Sequence, residues 1–81
     1  MSIETEISYR ETISAAKDRL KAIYRRLEQI KSLNFVGIPS EVFDKYQQEV
    51  NELGKEVSEL SSLAKTLQAR INAFYKPASA A

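Results

Sequence analysis

The chain has 81 residues, with 12 Lys or Arg against 11 Asp or Glu for a formal net charge of +1, and it contains no cysteine, histidine or tryptophan. These counts exclude disulfides, metal sites built on Cys or His, and nucleophilic catalysis by Cys or His, and the near-zero charge provides no overall field to recruit nucleic acid or membrane. A chain of this length forms one domain with a small core.

The N-terminal run Met1-Ser2-Ile3-Glu4-Thr5-Glu6 is acidic and lacks a basic region followed by an apolar stretch, so no cleavable secretory signal is expected. No segment is long and apolar enough to span a bilayer. The expectation is a protein that is cytoplasmic when made and not inserted in a membrane. Any export would use a route that reads something other than a cleaved signal.

A first helix is predicted over about residues 3–33. Tyr9, Ile13, Ala16, Leu20, Ile23, Leu27 and Ile30 recur alternately three and four positions apart, the spacing that lines one edge of a helix. The segment Asn34-Phe35-Val36-Gly37-Ile38-Pro39-Ser40 then breaks the pattern. Asn34 suits a helix end, Gly37 a positive φ, and Pro39 keeps Ile38 out of the helical region, while Ser40 is placed as an N-cap ahead of Glu41 and Asp44. The tip is apolar, so Phe35, Val36 and Ile38 either fold back over the end of the core as a plug or dock on another surface.

A second helix is predicted over about residues 41–75, with a seam of Phe43, Tyr46, Val50, Leu53, Val57, Leu60 and Ala64 at the same spacing. Gly54 interrupts it at the position after a seam residue, at a cost of about 1 kcal/mol relative to alanine. Such a gap permits a gentle bend or close approach of a third helix. Pro77 stops the helix, which leaves a hairpin over 1–76 and a tail over 77–81 expected to be mobile.

Folded back near Gly37, the two seams pair antiparallel in a single register. It runs from Ile30 by Phe43 through Leu27 by Tyr46, Ile23 by Val50, Leu20 by Leu53 and Ala16 by Val57 to Ile13 by Leu60 and Tyr9 by Ala64. The same register brings Arg26 to Glu49 and Arg19 to Glu56, with Leu33 meeting Val42 and Thr12 meeting Leu63. At the outer ends Glu4, Glu6 and Glu11 are expected toward Lys65, Arg70 and Lys76. The fold expectation is therefore all-α: an antiparallel two-helix hairpin, coiled-coil-like.

Two helices side by side have no third layer to close over their seam. Ordering the chain costs on the order of 1.5 kcal/mol per residue, whereas each well-buried seam side chain returns roughly 1.5 to 3 kcal/mol, so a half-exposed seam leaves little margin. Ile7, Tyr24, Leu33, Ile38, Val42, Leu63 and Tyr75 widen the apolar stripe beyond what one neighbouring helix covers. Tyr24, Leu33, Val42 and Leu63 are assigned as an oligomer stripe that completes a four-helix bundle by dimerisation, with a second copy or a similar helical hairpin as partner.

Chemistry is not expected of this chain. It has no glycine-rich phosphate loop, no metal-ligand spacing and no carboxylate pair on a seam, so no catalytic residue, cofactor or metal is assigned. Arg25 and Arg26 beside Tyr24, with Lys17, Lys21 and Lys31, form a basic stretch, and small hairpin dimers of the plasmid RNA-regulator type bind RNA across such faces. The acidic second helix offers internal partners for much of that charge, which ranks nucleic acid behind protein as a partner.

The tip Phe35-Val36-Gly37, with Phe43 six positions after the glycine and Tyr75 near the end of the second helix, resembles the Trp-x-Gly family of small helical hairpins exported by type VII secretion systems. That resemblance implies an antiparallel four-helix dimer, no cleavable signal, and a tip and tyrosine (Phe35, Val36, Gly37, Ile38, Phe43, Tyr75) concerned with partner binding. Phe35 stands where the family has tryptophan, and Ser79 stands where the acid of the export signal follows the tyrosine. Within the family, a missing acid implies a partner or targeting factor that travels with a larger secreted substrate carrying the signal. The chain is also similar to type III secretion needle subunits, through Pro39 followed by Tyr46-Gln47, Val50, Glu52-Leu53, Ser61 and Lys65. That likeness implies a polymerising subunit, although the C-terminal Lys-Asp pattern of those proteins is absent.

Overall fold

A computed structural model of the chain describes residues 1–75. It consists of two helices, α1 (Ile3–Lys31) and α2 (Ser40–Tyr75), of 29 and 36 residues. The fold is the all-α helical hairpin that the seams predict, with no strand among the described residues. No helix among them is long and apolar enough to cross a membrane. Lys76 and the tail expected over 77–81 lie outside the described residues.

Each helix end has a local cause. Ser2 caps α1: its Oγ accepts from the Thr5 amide at 3.1 Å, and Glu4 and Glu6 place negative charge in the first turn, where the helix dipole favours it. α1 stops at Lys31, short of the expected Leu33. Ser32 takes up the C-cap, its amide reaching back to Glu28 and its hydroxyl donating to the Gln29 carbonyl. Asn34 then bends the chain, its side-chain oxygen accepting from the Val36 amide. Ile38 donates to the Phe35 carbonyl across Val36 and Gly37, and Gly37 takes φ +79, the geometry that a type II turn requires at its third residue.

The N-cap assignment to Ser40 is corrected. The Pro39 carbonyl accepts from both Val42 and Phe43, so Pro39 holds the capping position and Ser40 is the first residue of α2. Proline's preset φ and lack of an N–H cost nothing at a helix start, where the amide has no intrahelical partner.

Burial follows the seams on α1, where Ile13, Ala16, Ile23 and Ile30 are buried, Ile23 to 1% exposure. On α2 the buried residues are Leu67 and Ile71, which continue the heptad beyond Ala64, the last of the expected seam positions. Ile13 clusters with this pair, and Tyr9 packs against them. The cross-helix seam therefore runs on past Ala64 toward the open end. Side chains tilt toward the N-terminus of their own helix. On antiparallel helices, α1 side chains lean toward the open end and α2 side chains lean toward the tip, so contacts join residues whose backbones are offset.

The seven seam residues read on α2 are shallower than expected. Tyr46, Leu53, Val57, Leu60 and Ala64 are half-buried, while Phe43 and Val50 remain 42% and 38% exposed. One neighbouring helix cannot cover a stripe this wide, and no third layer is present among the described residues.

Candidate docking surfaces

The hairpin has two flanks, a tip and an open end, and each places expected site residues differently. One flank carries the cross-helix ion pairs. Arg26 Nε and Nη2 donate to Glu49 Oε2 and Oε1 at 2.6 and 3.0 Å, and Arg19 makes the same two-point contact with Glu56 at the same distances. Both pairs are those the register specifies. The guanidinium hydrogen bonds hold the Glu49 and Glu56 carboxyls below their ordinary values and raise those of Arg26 and Arg19.

Val42 and Leu63 extend this flank, each one heptad from a charge-pair residue, and both are exposed; Leu33, also exposed, lies past the end of α1 in the connecting turn. Tyr24 does not join them. It lies on the opposite flank, 54% exposed, in a depression lined with Lys21, Arg25, Glu28 and Gln29. The four-residue stripe is therefore corrected to separate surfaces, because Tyr24 directly follows a seam residue, Val42 and Leu63 precede one in the heptad, and Leu33 lies beyond α1.

The basic stretch divides in the same way. Arg26 turns inward to Glu49 and lies 6.0 Å from the Tyr46 ring centroid, while Arg25 lines the outer depression with Tyr24. Adjacent residues on a helix diverge by about 100°, so two consecutive arginines cannot share one face.

At the tip Phe35 folds back and is half-buried, its ring edge-on to Phe43 at 5.4 Å and to Tyr46 at 5.7 Å. Phe35 is a plug over the end of the hairpin. Val36 turns outward and is 87% exposed, with Gly37 beside it and Ile38 half-buried. The tip therefore both closes the core and presents one apolar side chain.

At the open end Tyr75 Oη donates to Glu6 Oε2 at 2.6 Å, and Arg10 donates to Glu6 Oε1 through Nε and Nη2. Among the described residues Glu6 thereby departs from the expected approach to Lys65 and Arg70, pairing instead with a tyrosine on the neighbouring helix and an arginine one turn along its own, while Lys76 lies outside them. Tyr75, then Arg10, holds the Glu6 carboxyl down, and the bond to Glu6 pushes the Tyr75 phenol up. Phe74 stands edge-on to Tyr75 at 5.1 Å and is exposed. Phe74 continues the heptad that Leu67 and Ile71 occupy, a signal that extending the seam count past Ala64 would have exposed.

Among the described residues no group of acids is placed to hold a metal ion, and no buried side-chain polar atom lacks a partner. No family model matches the chain, and no curated protein or solved structure matches it. The type VII resemblance rests on Phe35, Gly37, Phe43 and Tyr75 themselves.

Proposed function

We propose that this chain is a non-enzymatic docking module, a helical hairpin whose core is completed by the helices of a protein partner, and that it serves a type VII-like export system as a small partner or targeting factor. The observation that carries the docking role is the incomplete core. Phe43 and Val50 lie on the seam yet remain exposed, and Leu33, Val42, Leu63 and Tyr24 widen it on both sides. Apolar surface of this extent along a two-helix rod is what a third and a fourth helix would remove from water. The occupant is a second copy or a hairpin of similar shape.

The export role is supported by the tip. An aromatic-x-Gly turn joins the helices, Gly37 has a positive φ that favours glycine over other residues, and Phe43 packs on the turn aromatic. Tyr75 closes the other end of the hairpin.

Light scattering across a concentration series is the direct test. A discrete dimer, or a discrete complex with a second hairpin, agrees with the docking role. Growth without limit points instead to a needle-like polymer, and a monomer indifferent to any helical partner removes the docking role. Unchanged partner binding and export in Phe35→Ala and Gly37→Trp variants would remove the tip from the function.

A further inference from the structure

The two flanks of the hairpin are not equally open to another molecule. On one, Arg19 and Arg26 bridge the helices to Glu56 and Glu49, and a partner laid over those pairs would strip water from four charges that are already satisfied. The other flank is built from the heptad positions that directly follow a seam residue: Lys17, Tyr24 and Lys31 on α1, and Gln47, Gly54 and Ser61 on α2. Among the described residues no ion pair crosses between the helices on this side.

This open flank carries both a knob and a hole. Tyr24 stands out from α1, 54% exposed. On α2, Gln47, Val50, Asn51 and Gly54 have the spacing of the four residues that enclose a knob in a coiled coil. Val50 is a seam residue left 38% exposed, and a side chain at Gly54 would meet open space. The Arg26–Glu49 and Arg19–Glu56 pairs set which residues of the two helices share a height, and by that register Tyr24 is level with Asn51, inside the span of the hole. The hairpin cannot fill its own hole, because knob and hole lie side by side on one flank.

We propose, resting on the docking role above, that the occupant of this flank is a second copy of the chain. The two molecules are related by a two-fold axis along the rod, with both tips at the same end, and Tyr24 of each enters the Gln47–Gly54 hole of the other. Rotation about that axis lays α1 of one copy over α2 of the other without changing height. A knob and a hole that are level within one chain therefore meet between two, and they meet twice, as an isologous interface requires. A different hairpin would need its own hole level with Tyr24 and its own knob level with Gly54, whereas this chain already has both.

Charge and area agree with that arrangement. Lys31 comes level with Asp44 of the second copy, Lys21 with Gly54, Lys17 with Ser58 and Glu28 with Gln47; Arg10, which comes level with Lys65, is already held by Glu6. Glu11, Asp18 and Arg25 occupy the heptad position farthest from the seam, as do Glu41 and Lys55, and Glu52 and Glu59 lie beside the ion-pair flank, so none of them enters this contact. Reversing the second copy lays α1 on α1, with Lys17 near the midpoint of Ile3–Lys31 set against the same lysine, which like charge disfavours. The long face, 63 by 27 Å, has room for the roughly 800 Å² per partner of a stable interface, and the 27 by 17 Å end does not.

The test uses the full chain, which has no native cysteine, with a nitroxide on Val36→Cys at the 87% exposed tip. Light scattering gives the mass and the dissociation constant, and electron double resonance gives the distance between labels. The expected result is a discrete dimer with labels within about 30 Å of each other, since packed helices lie 8–10 Å apart. Tyr24→Ala and Gly54→Leu, both outside the hairpin's core, should each weaken the dimer about tenfold or more while helical circular dichroism persists, and Leu63→Ala on the other flank should not weaken it. Labels separated by about the 63 Å length of the rod overturn the arrangement and leave the docking role standing. A dimer weakened by Leu63→Ala but not by Tyr24→Ala or Gly54→Leu overturns the choice of flank, and growth beyond two copies overturns the closed two-fold. A chain that stays monomeric overturns the second copy as occupant; the docking role falls with it only if no other helical hairpin binds.

Discussion

Arg26 and Glu49 are joined by two hydrogen bonds across the hairpin, and the same guanidinium lies 6.0 Å from the centroid of the Tyr46 ring, which in turn packs edge-on against Phe35. Helix pairing and tip closure thus share a residue. Arg26 holds the Glu49 carboxyl below its ordinary 4.5, so the pair's contribution is complete above that value and is lost as pH falls through the lower folded-state value. Glu56 behaves alike through Arg19. Thermal melts monitored by circular dichroism should show a midpoint that declines as pH drops below 4.5. The decline should be shallower in Glu49→Gln with Glu56→Gln and weaker at high salt, since the pairs are solvent-accessible. A midpoint equally acid-sensitive in the double variant would remove the role of these pairs.

The Glu6–Tyr75 bond acts as a clasp with limits on both sides of neutral pH. Glu6 is held below its ordinary 4.5, so its share is lost as pH falls; the Tyr75 phenol is raised above its ordinary 10.0, so its share is present below that value and lost as pH rises through the folded-state value. Tyr75→Phe keeps the ring beside Phe74 and removes the donor. Amide exchange should quicken over the last turns of α2 and the first turns of α1, with the tip unaffected. Equal acceleration at both ends would mean that the bond does not act locally.

The hairpin was legible because two kinds of pattern agree. The heptads fix which edge of each helix is apolar, and the Arg26–Glu49 and Arg19–Glu56 pairs fix how one edge slides along the other. Depth of burial was not legible. Position in the heptad says that Phe43 and Val50 face the partner helix, but exposure depends on how many layers lie above them, and one layer leaves them open. The length of the seam was under-read as well, since Leu67 and Ile71, past Ala64, are the α2 residues that cluster with Ile13. For docking, the residues were found but their grouping was not: Tyr24 and Val42 are both apolar neighbours of the seam, on opposite flanks.

Truncations along the seam should separate the core from the docking surface. Ile23 is 1% exposed, and Ile23→Ala should cost about 3 kcal/mol, enough to unfold much of a chain with so small a core. Val50→Ala removes a side chain already 38% exposed and should cost less than about 1 kcal/mol in the isolated protein. A partner helix that covers Val50 would raise that cost in the complex. Urea denaturation of both variants, alone and with the partner, measures the difference, and equal costs for Val50→Ala in the two settings would place the partner elsewhere.

The two glycines should respond to alanine with opposite signs, although neither has an atom within 4 Å of where the new methyl would stand. With steric contact absent at both sites, backbone conformation alone decides. Gly37 has φ +79, a region that costs an L-residue about 1 to 2 kcal/mol, so Gly37→Ala should destabilise the hairpin by about that amount. Gly54 is inside α2, where alanine is favoured by about 1 kcal/mol, so Gly54→Ala should raise the melting midpoint of the protein alone. Gly54→Leu should also be tolerated by the isolated hairpin, because the space is open. The same leucine would project into the open space beside α2, and so should weaken docking of a partner helix along that face while stability stays at or above that of the parent chain. Undiminished binding in Gly54→Leu would show that the helix does not approach α2 at this position.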